Sequence, residues 1–130
     1  MTNEELIEFW ITSSDHDYAT MEHLFQSGDY NWSLFIGHLV IEKLLKGYYV
    51  KSVDRHVPIT HNLLWIAGKT DLSLTDEQIV FLDTTTDFNV KVRYDDEQFK
   101  FYQKCTKEFA EGYIDKMKEF RVWIKEKLSN

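Results

Sequence analysis

Hydrophobic positions recur along this chain at intervals of about three to four residues, the periodicity of an amphipathic α-helix. The first such segment covers residues 3–26, where Thr2 and Glu5 have the spacing of a capping box. One face of this segment carries Leu6, Trp10, Ser13, Asp17, Met21 and Leu24. The second segment covers residues 32–51 and follows the turn residues SGDYN. The pattern therefore predicts two antiparallel helices joined by a short turn.

Two shorter helical patterns occupy the middle of the chain. Thr60 is expected to cap a short helix over residues 61–68, because Thr is a favoured N-cap residue. Thr75 and Gln78 repeat the capping-box spacing. They predict a fourth helix that ends near residues 84–86.

The C-terminal part of the chain combines a β-branched stretch with the longest helical pattern. Residues 87–96 read DFNVKVRYDD and are predicted as an extended loop, since no second strand is available to pair with them. Residues 97–127 repeat apolar side chains at helical spacing and are predicted as one long helix. No linker or internal repeat interrupts residues 1–130. The sequence thus predicts a single all-α domain, an up-and-down bundle of about five helices with a long C-terminal helix.

The amino-acid composition argues against several classes of protein. The net charge of −7 argues against a protein that works by coating phosphate backbones. The single cysteine, Cys105, excludes an intrachain disulfide and a cysteine-rich zinc site. The N-terminus does not resemble a signal peptide, and no apolar run reaches the roughly 20 residues of a membrane span. We expect a soluble cytoplasmic protein without a metal or cofactor.

A polar stripe interrupts the second helix, whose sequence reads FIGHLVIEKLLKGYYV. His38, Glu42 and Lys46 are spaced four apart, so they lie on one helical face, yet their neighbours are apolar. The stripe is either a solvated ladder or a buried or interfacial network, structural or functional. Gly37 and Gly47 lie on the cleaner face, where they allow close helix approach. The second helix is therefore predicted to be central, or to be covered by a partner subunit.

Asp17 is a carboxylate within the apolar stripe of the first helix. A buried charge needs a partner, because leaving a carboxylate unpaired in an apolar interior is very costly. Antiparallel pairing places it level with the second helix, where His38, Lys43 and Lys46 are candidate partners. Asp17 is then a structural hydrogen-bonding group, an acidic part of a site, or simply exposed.

Several blocks of the sequence resemble one known family. Trp10, Asp17 and Leu24 match a recurring Trp–Asp–Leu spacing, and HLVIEKLLKGYYV resembles the family block QQAVEKLLKALL, with His38 where Gln is common. PITHNLLWIA resembles P-x-T-H-x-L-x-x-L, and DFNVKVRYDDEQF resembles FNIEARYPDE. In this order and spacing, the blocks resemble those of the HEPN domains, named for a nucleotide-binding role in higher eukaryotes and prokaryotes.

The resemblance implies a helical bundle that is often dimeric and is encoded beside a minimal nucleotidyltransferase, commonly in a toxin–antitoxin system. Many HEPN domains are metal-independent RNases whose motif is Arg-x4-6-His, with His as acid or base and Arg on the phosphate. Here the positions expected for His after Arg93 hold Gln98, Phe99 and Lys100. Because none of these side chains replaces an imidazole near neutral pH, we expect no standard RNase chemistry.

Together with the resemblance, these features predict a homodimeric binding module. It binds a nucleotide or RNA ligand, or is the partner of a minimal nucleotidyltransferase in a toxin–antitoxin-like two-gene system, or does both. The predicted ligand-binding residues are Arg93, Tyr94, Glu42 and Lys46, with Asp17 and His38 behind them. Arg93 suits a phosphate and Tyr94 suits a base, although the same pair also fits a structural tie in the core. His61 is expected to cap and pack at the start of the short helix.

Two other functions remain open. One is a divergent metal-independent RNase that uses another acid–base pair, such as His38 with Arg93. The other is a purely structural dimerisation or antitoxin-type scaffold.

Overall fold

The structure, a computed structural model, describes residues 1–92 and 95–130. These residues form six α-helices and contain no β-strand, which confirms the predicted all-α bundle with a long C-terminal helix. The helices are α1 (Asn3–Gln26), α2 (Tyr30–Ser52), α3 (Leu63–Gly68), α4 (Asp76–Lys91), α5 (Asp95–Lys104) and α6 (Lys107–Ser129). Over the same described ranges, no helix combines the length and apolar character needed to cross a bilayer.

Helix α2 is the centre of the bundle and contacts α1, α3, α4, α5 and α6. More than half of its residues are buried, including Leu34, Ile41 and Leu44. Burial on several sides explains why this segment is apolar almost all round, as a helix must be when neighbours enclose it. The prediction that this helix is central is confirmed.

Close packing of α1, α2 and α6 depends on small side chains. A Cβ at Gly37 would lie 2.9 Å from Met117 Cε and 3.1 Å from Met21 Sδ, so only glycine fits there without movement. The Ser14 hydroxyl donates to the Val40 carbonyl, and the Ser33 hydroxyl donates to the Met21 carbonyl, both at 2.8 Å. These buried bonds satisfy polar atoms at a tight helix interface.

The first correction concerns residues 87–96, which the sequence predicts as an extended loop. Residues 87–91 are helical and extend α4 to Lys91, and residues 95 and 96 are the first of α5. Phe88 is fully buried and its ring stacks on Phe101 at 5.3 Å between centroids. Packing of Phe88 and Asn89 into the bundle therefore outweighs the weak helix propensity of this β-branched stretch.

The second correction concerns the C-terminal helix, which the sequence predicts as one unbroken helix over residues 97–127. It is divided into α5 and α6 between Lys104 and Lys107. Thr106 begins α6 as an N-cap, and its hydroxyl accepts a hydrogen bond from the Phe109 amide at 3.2 Å. A Thr inside an apolar pattern can cap a new helix as well as continue an old one, and here it caps.

The loop between α2 and α3 covers residues 53–62 and is largely exposed at its start. Asn62, and not the predicted Thr60, caps α3 by accepting a hydrogen bond from the Trp65 amide at 3.0 Å. The Thr60 hydroxyl instead accepts from the Asn62 amide at 3.1 Å. This loop returns the chain to α2, where it covers the polar stripe.

Candidate functional site

Glu42 is the centre of a buried polar cluster on α2. Its side chain is only 6% exposed, yet both carboxylate oxygens are bonded. Lys46 Nζ lies 3.1 Å from Oε2, and His61 Nδ1 lies 2.8 Å from Oε1. Because a buried carboxylate requires such compensation, these two donors allow Glu42 to lie inside the bundle.

His38 lies one helical turn before Glu42 and has no exposed surface. Its Nε2–H donates to the His61 carbonyl oxygen at 2.9 Å, which requires the proton on Nε2. The same atom is 3.8 Å from Glu42 Oε1, too far for a hydrogen bond. Nδ1 of His38 has no hydrogen-bond partner in the described part of the chain. Burial lowers the pKa of His38, so the ring is neutral at physiological pH.

Lys46 completes the stripe on the side nearest α1. Its ammonium is paired with Glu42 and lies 5.7 Å from the centre of the Trp10 ring, within reach of a cation–π interaction. Both groups are largely shielded from solvent. The predicted stripe of His38, Glu42 and Lys46 is therefore brought together as a buried network, which excludes the solvated ladder.

Asp17 is paired elsewhere. Its Oδ2 lies 2.6 Å from Nζ of Lys43, one of its candidate partners. Among the residues that the structure describes, no bond joins Asp17 to His38 or Lys46. The ion pair ties α1 to α2 beside the Glu42 cluster without belonging to it.

His61 is the functional candidate that sequence reasoning missed. Its carbonyl accepts from His38 and its ring donates to Glu42, so both ends of this residue are fixed to α2. The ring nevertheless remains half-exposed, with 51% of its side chain accessible. The available signal was its place in the PITHN block, but the pairing of its ring with Glu42 is a tertiary contact.

Arg93 and Tyr94 lie outside the described residues, so the structure does not place these two predicted ligand-binding residues. The chain leads to them from Val92, which is buried in the core. Within the described ranges, no group of three or more His, Cys, Asp or Glu side chains is arranged to hold a metal ion.

Comparisons with known proteins agree with this architecture. The family model described as HEPN domain matches residues 7–128, nearly the whole chain. The crystal structure of TT1696 from Thermus thermophilus is similar at a TM-score of 0.80, covering 93% of this chain and 97% of that chain. Its sequence identity is 19%, so this likeness concerns the fold alone. The comparison with curated proteins gives no match.

Proposed function

Because this chain belongs to the HEPN domain family, we propose that it is a homodimeric binding module that holds a nucleotide and associates with a minimal nucleotidyltransferase. The ligand-binding residues in this proposal are Arg93, Tyr94, Glu42 and Lys46, supported by Asp17 and His38. His61 joins them because its half-exposed ring connects the buried carboxylate of Glu42 to the surface.

The observation that carries this proposal is the preorganised cluster around Glu42. A carboxylate with two charge-assisted bonds is held rigidly, and rigid polar groups recognise ligands better than mobile ones. Lys46 is already neutralised by Glu42, so it orients the cluster and does not bind a phosphate by itself. The phosphate contact in this proposal therefore falls to Arg93, whose guanidinium suits bidentate binding.

Support for a homodimer comes from α5. Phe99 and Tyr102 are 63% and 64% exposed, whereas Phe101 between them is buried in the bundle. Large exposed aromatic side chains on a peripheral helix favour coverage by another chain. A second copy of α5 is the partner that this proposal assigns to them.

The nucleotide site is tested by titrating purified protein with ATP in a calorimeter. The parent should bind, and Arg93→Ala should weaken binding by at least about ten-fold, or about 1.4 kcal/mol, since it removes the phosphate contact. Arg55→Ala is the matched control, because Arg55 is an exposed arginine that donates to the Met1 carbonyl. No binding by the parent, or equal binding by Arg93→Ala, would contradict the proposal.

A divergent metal-independent RNase is the second candidate. His38 is too deeply buried to touch a substrate, so the pair of His38 with Arg93 does not meet the requirements of this chemistry. His61 takes its place, because a carboxylate-bonded, half-exposed imidazole has the arrangement of an acid–base group. Metal-free cleavage of labelled RNA that is lost in His61→Ala would favour this candidate over the binding module.

A further inference from the structure

The ring of His61 is held in one tautomer. Its Nδ1–H donates to the buried Glu42 carboxylate at 2.8 Å, which places the proton on Nδ1 and leaves the lone pair on Nε2. Lys46 holds this carboxylate in place through its bond to the other oxygen. The bond from His38 to the His61 carbonyl fixes the backbone as well. Nε2 is therefore a nucleophile whose orientation is set by α2.

The surroundings of His61 indicate whether its ring serves an enclosed active site or is a target for modification by a second protein. A hollow of about 430 Å³ is lined by its chain neighbours, but it is shallow and open to solvent. Its lining residues are Pro58, Ile59, Thr60, Asn62 and Trp65. An enzyme active site encloses its substrate, whereas a side chain that is modified by a second protein has to be accessible. The half-exposed ring on an open surface fits the second use.

From this geometry we propose that His61 is a phosphoryl-acceptor residue. Nε2 attacks the phosphorus of a phosphoryl donor, an N–P bond forms, and the bond to the leaving group breaks with its electron pair. The ring becomes positively charged during attack, and Glu42 stabilises this charge through the Nδ1–H hydrogen bond without becoming protonated itself. The phosphorylated ring then returns to neutrality by losing its proton to water. The inference is independent of nucleotide binding, because it concerns covalent modification of the cluster and not its occupancy.

The other exposed histidines are internal controls. His16 and His23 are exposed on α1, and no described residue offers their rings a carboxylate. His56 Nδ1 lies 3.6 Å from Asp54 Oδ1, beyond good hydrogen-bond range, and its side chain is 88% exposed. His61 alone among these four combines exposure with a short bond to a buried carboxylate.

The test uses phosphoramidate, a small phosphoryl donor, with the full chain and peptide mass mapping of each histidine over time. His61 should be phosphorylated roughly ten-fold faster than His16, His23 and His56, because a hydrogen bond to a developing charge stabilises the transition state by about that factor. The same reaction in strong denaturant should label all four at similar rates. Equal rates in the folded protein would overturn the proposal.

Two variants extend the test. Glu42→Gln should reduce the rate at His61 towards that of His56, and His61→Gln should remove the fast-labelled site. Circular dichroism establishes that each variant is folded before labelling, and the comparison within the parent chain stands even if Glu42→Gln does not fold. A folded Glu42→Gln that labels His61 as fast as the parent would contradict the role of the carboxylate. ATP binding measured by calorimetry does not depend on these labelling rates, so the nucleotide site and the phosphoryl acceptor are tested separately.

Discussion

At the scale of single residues, burial of His38 makes the folding stability depend on pH. Burial has the largest effect and lowers the pKa of His38 below its ordinary value of 6.5. The bond to the His61 carbonyl and the charge of Glu42 oppose this shift, whereas His61 and Lys46 add to it. The unfolded chain thus binds this proton at a higher pH than the folded protein does. The contribution to stability is complete above about 6.5 and is lost as the pH falls towards the lowered pKa.

We expect His38→Gln to remove this pH-dependent loss. Gln donates to the His61 carbonyl as His38 does, but it does not titrate. Urea unfolding of both proteins at about pH 7.5 and about pH 5.5 gives the free energy of unfolding at each pH. Between the two pH values, the free energy of unfolding should fall further for the parent than for the variant, because the other titrating groups are the same in both. An identical loss in both would show that His38 does not contribute to it.

Sequence reasoning succeeded with the stripe on α2 and failed with its partner. Helical spacing places His38, Glu42 and Lys46 on one face whatever the rest of the fold does. The contact of His61 with Glu42 depends on how a loop returns to α2, and local periodicity contains no information about that path. Asp17 is an intermediate case, because Lys43 is one of its candidate partners but spacing could not rank them.

At the scale of helices, two glycines should respond in opposite directions to substitution by alanine. Gly112 lies within α6, and among the described residues nothing beyond its own stretch of helix lies within 4 Å of the position that a Cβ would take. Gly112→Ala should therefore stabilise the protein by roughly 0.5–1 kcal/mol through helix propensity. Gly37→Ala should destabilise it by about 1 kcal/mol, since overpacking against Met21 and Met117 outweighs the same propensity gain.

Urea unfolding of both variants and the parent checks the two predicted directions: the midpoint should rise for Gly112→Ala and fall for Gly37→Ala. Each variant is the control for the other, because the chemical change is the same and only the surroundings differ. Stabilisation by Gly37→Ala equal to that of Gly112→Ala would mean that the buried thioethers move aside without cost.

Helix boundaries were predicted well where a complete capping box defined them and poorly elsewhere. Thr2 and Thr75 each form the expected capping box, so α1 and α4 begin where the sequence indicated. The end of α4 depends on burial of Phe88 against other helices, which a pattern of β-branched residues cannot reveal. Likewise, the break at Thr106 depends on its hydroxyl capping α6, and an apolar repeat alone does not reveal that choice.

At the scale of the whole molecule, the proposed homodimer should dissociate when the exposed aromatic residues of α5 are replaced by lysine. Replacing Phe99 and Tyr102 with Lys places two cations where the proposal buries aromatic rings. Light scattering should give twice the single-chain mass for the parent and the single-chain mass for the double variant. Val122→Lys is the matched control, since Val122 is a 57% exposed apolar residue on α6.

The oligomer prediction has two outcomes that contradict it. A parent protein that is monomeric at high concentration has no interface on α5. Dissociation by Val122→Lys, without dissociation by the double variant, places the interface on α6 instead.

The loop between α2 and α3 has a practical consequence for labelling the protein. Its end is attached to α2 through His61, while Val53, Asp54 and His56 near its start are exposed. Extra residues inserted beside Asp54 would enter solvent and leave the anchored end in register. An epitope or fluorescent peptide placed there would thus report on the intact bundle, whereas the same insertion beside His61 would separate the imidazole from its carboxylate.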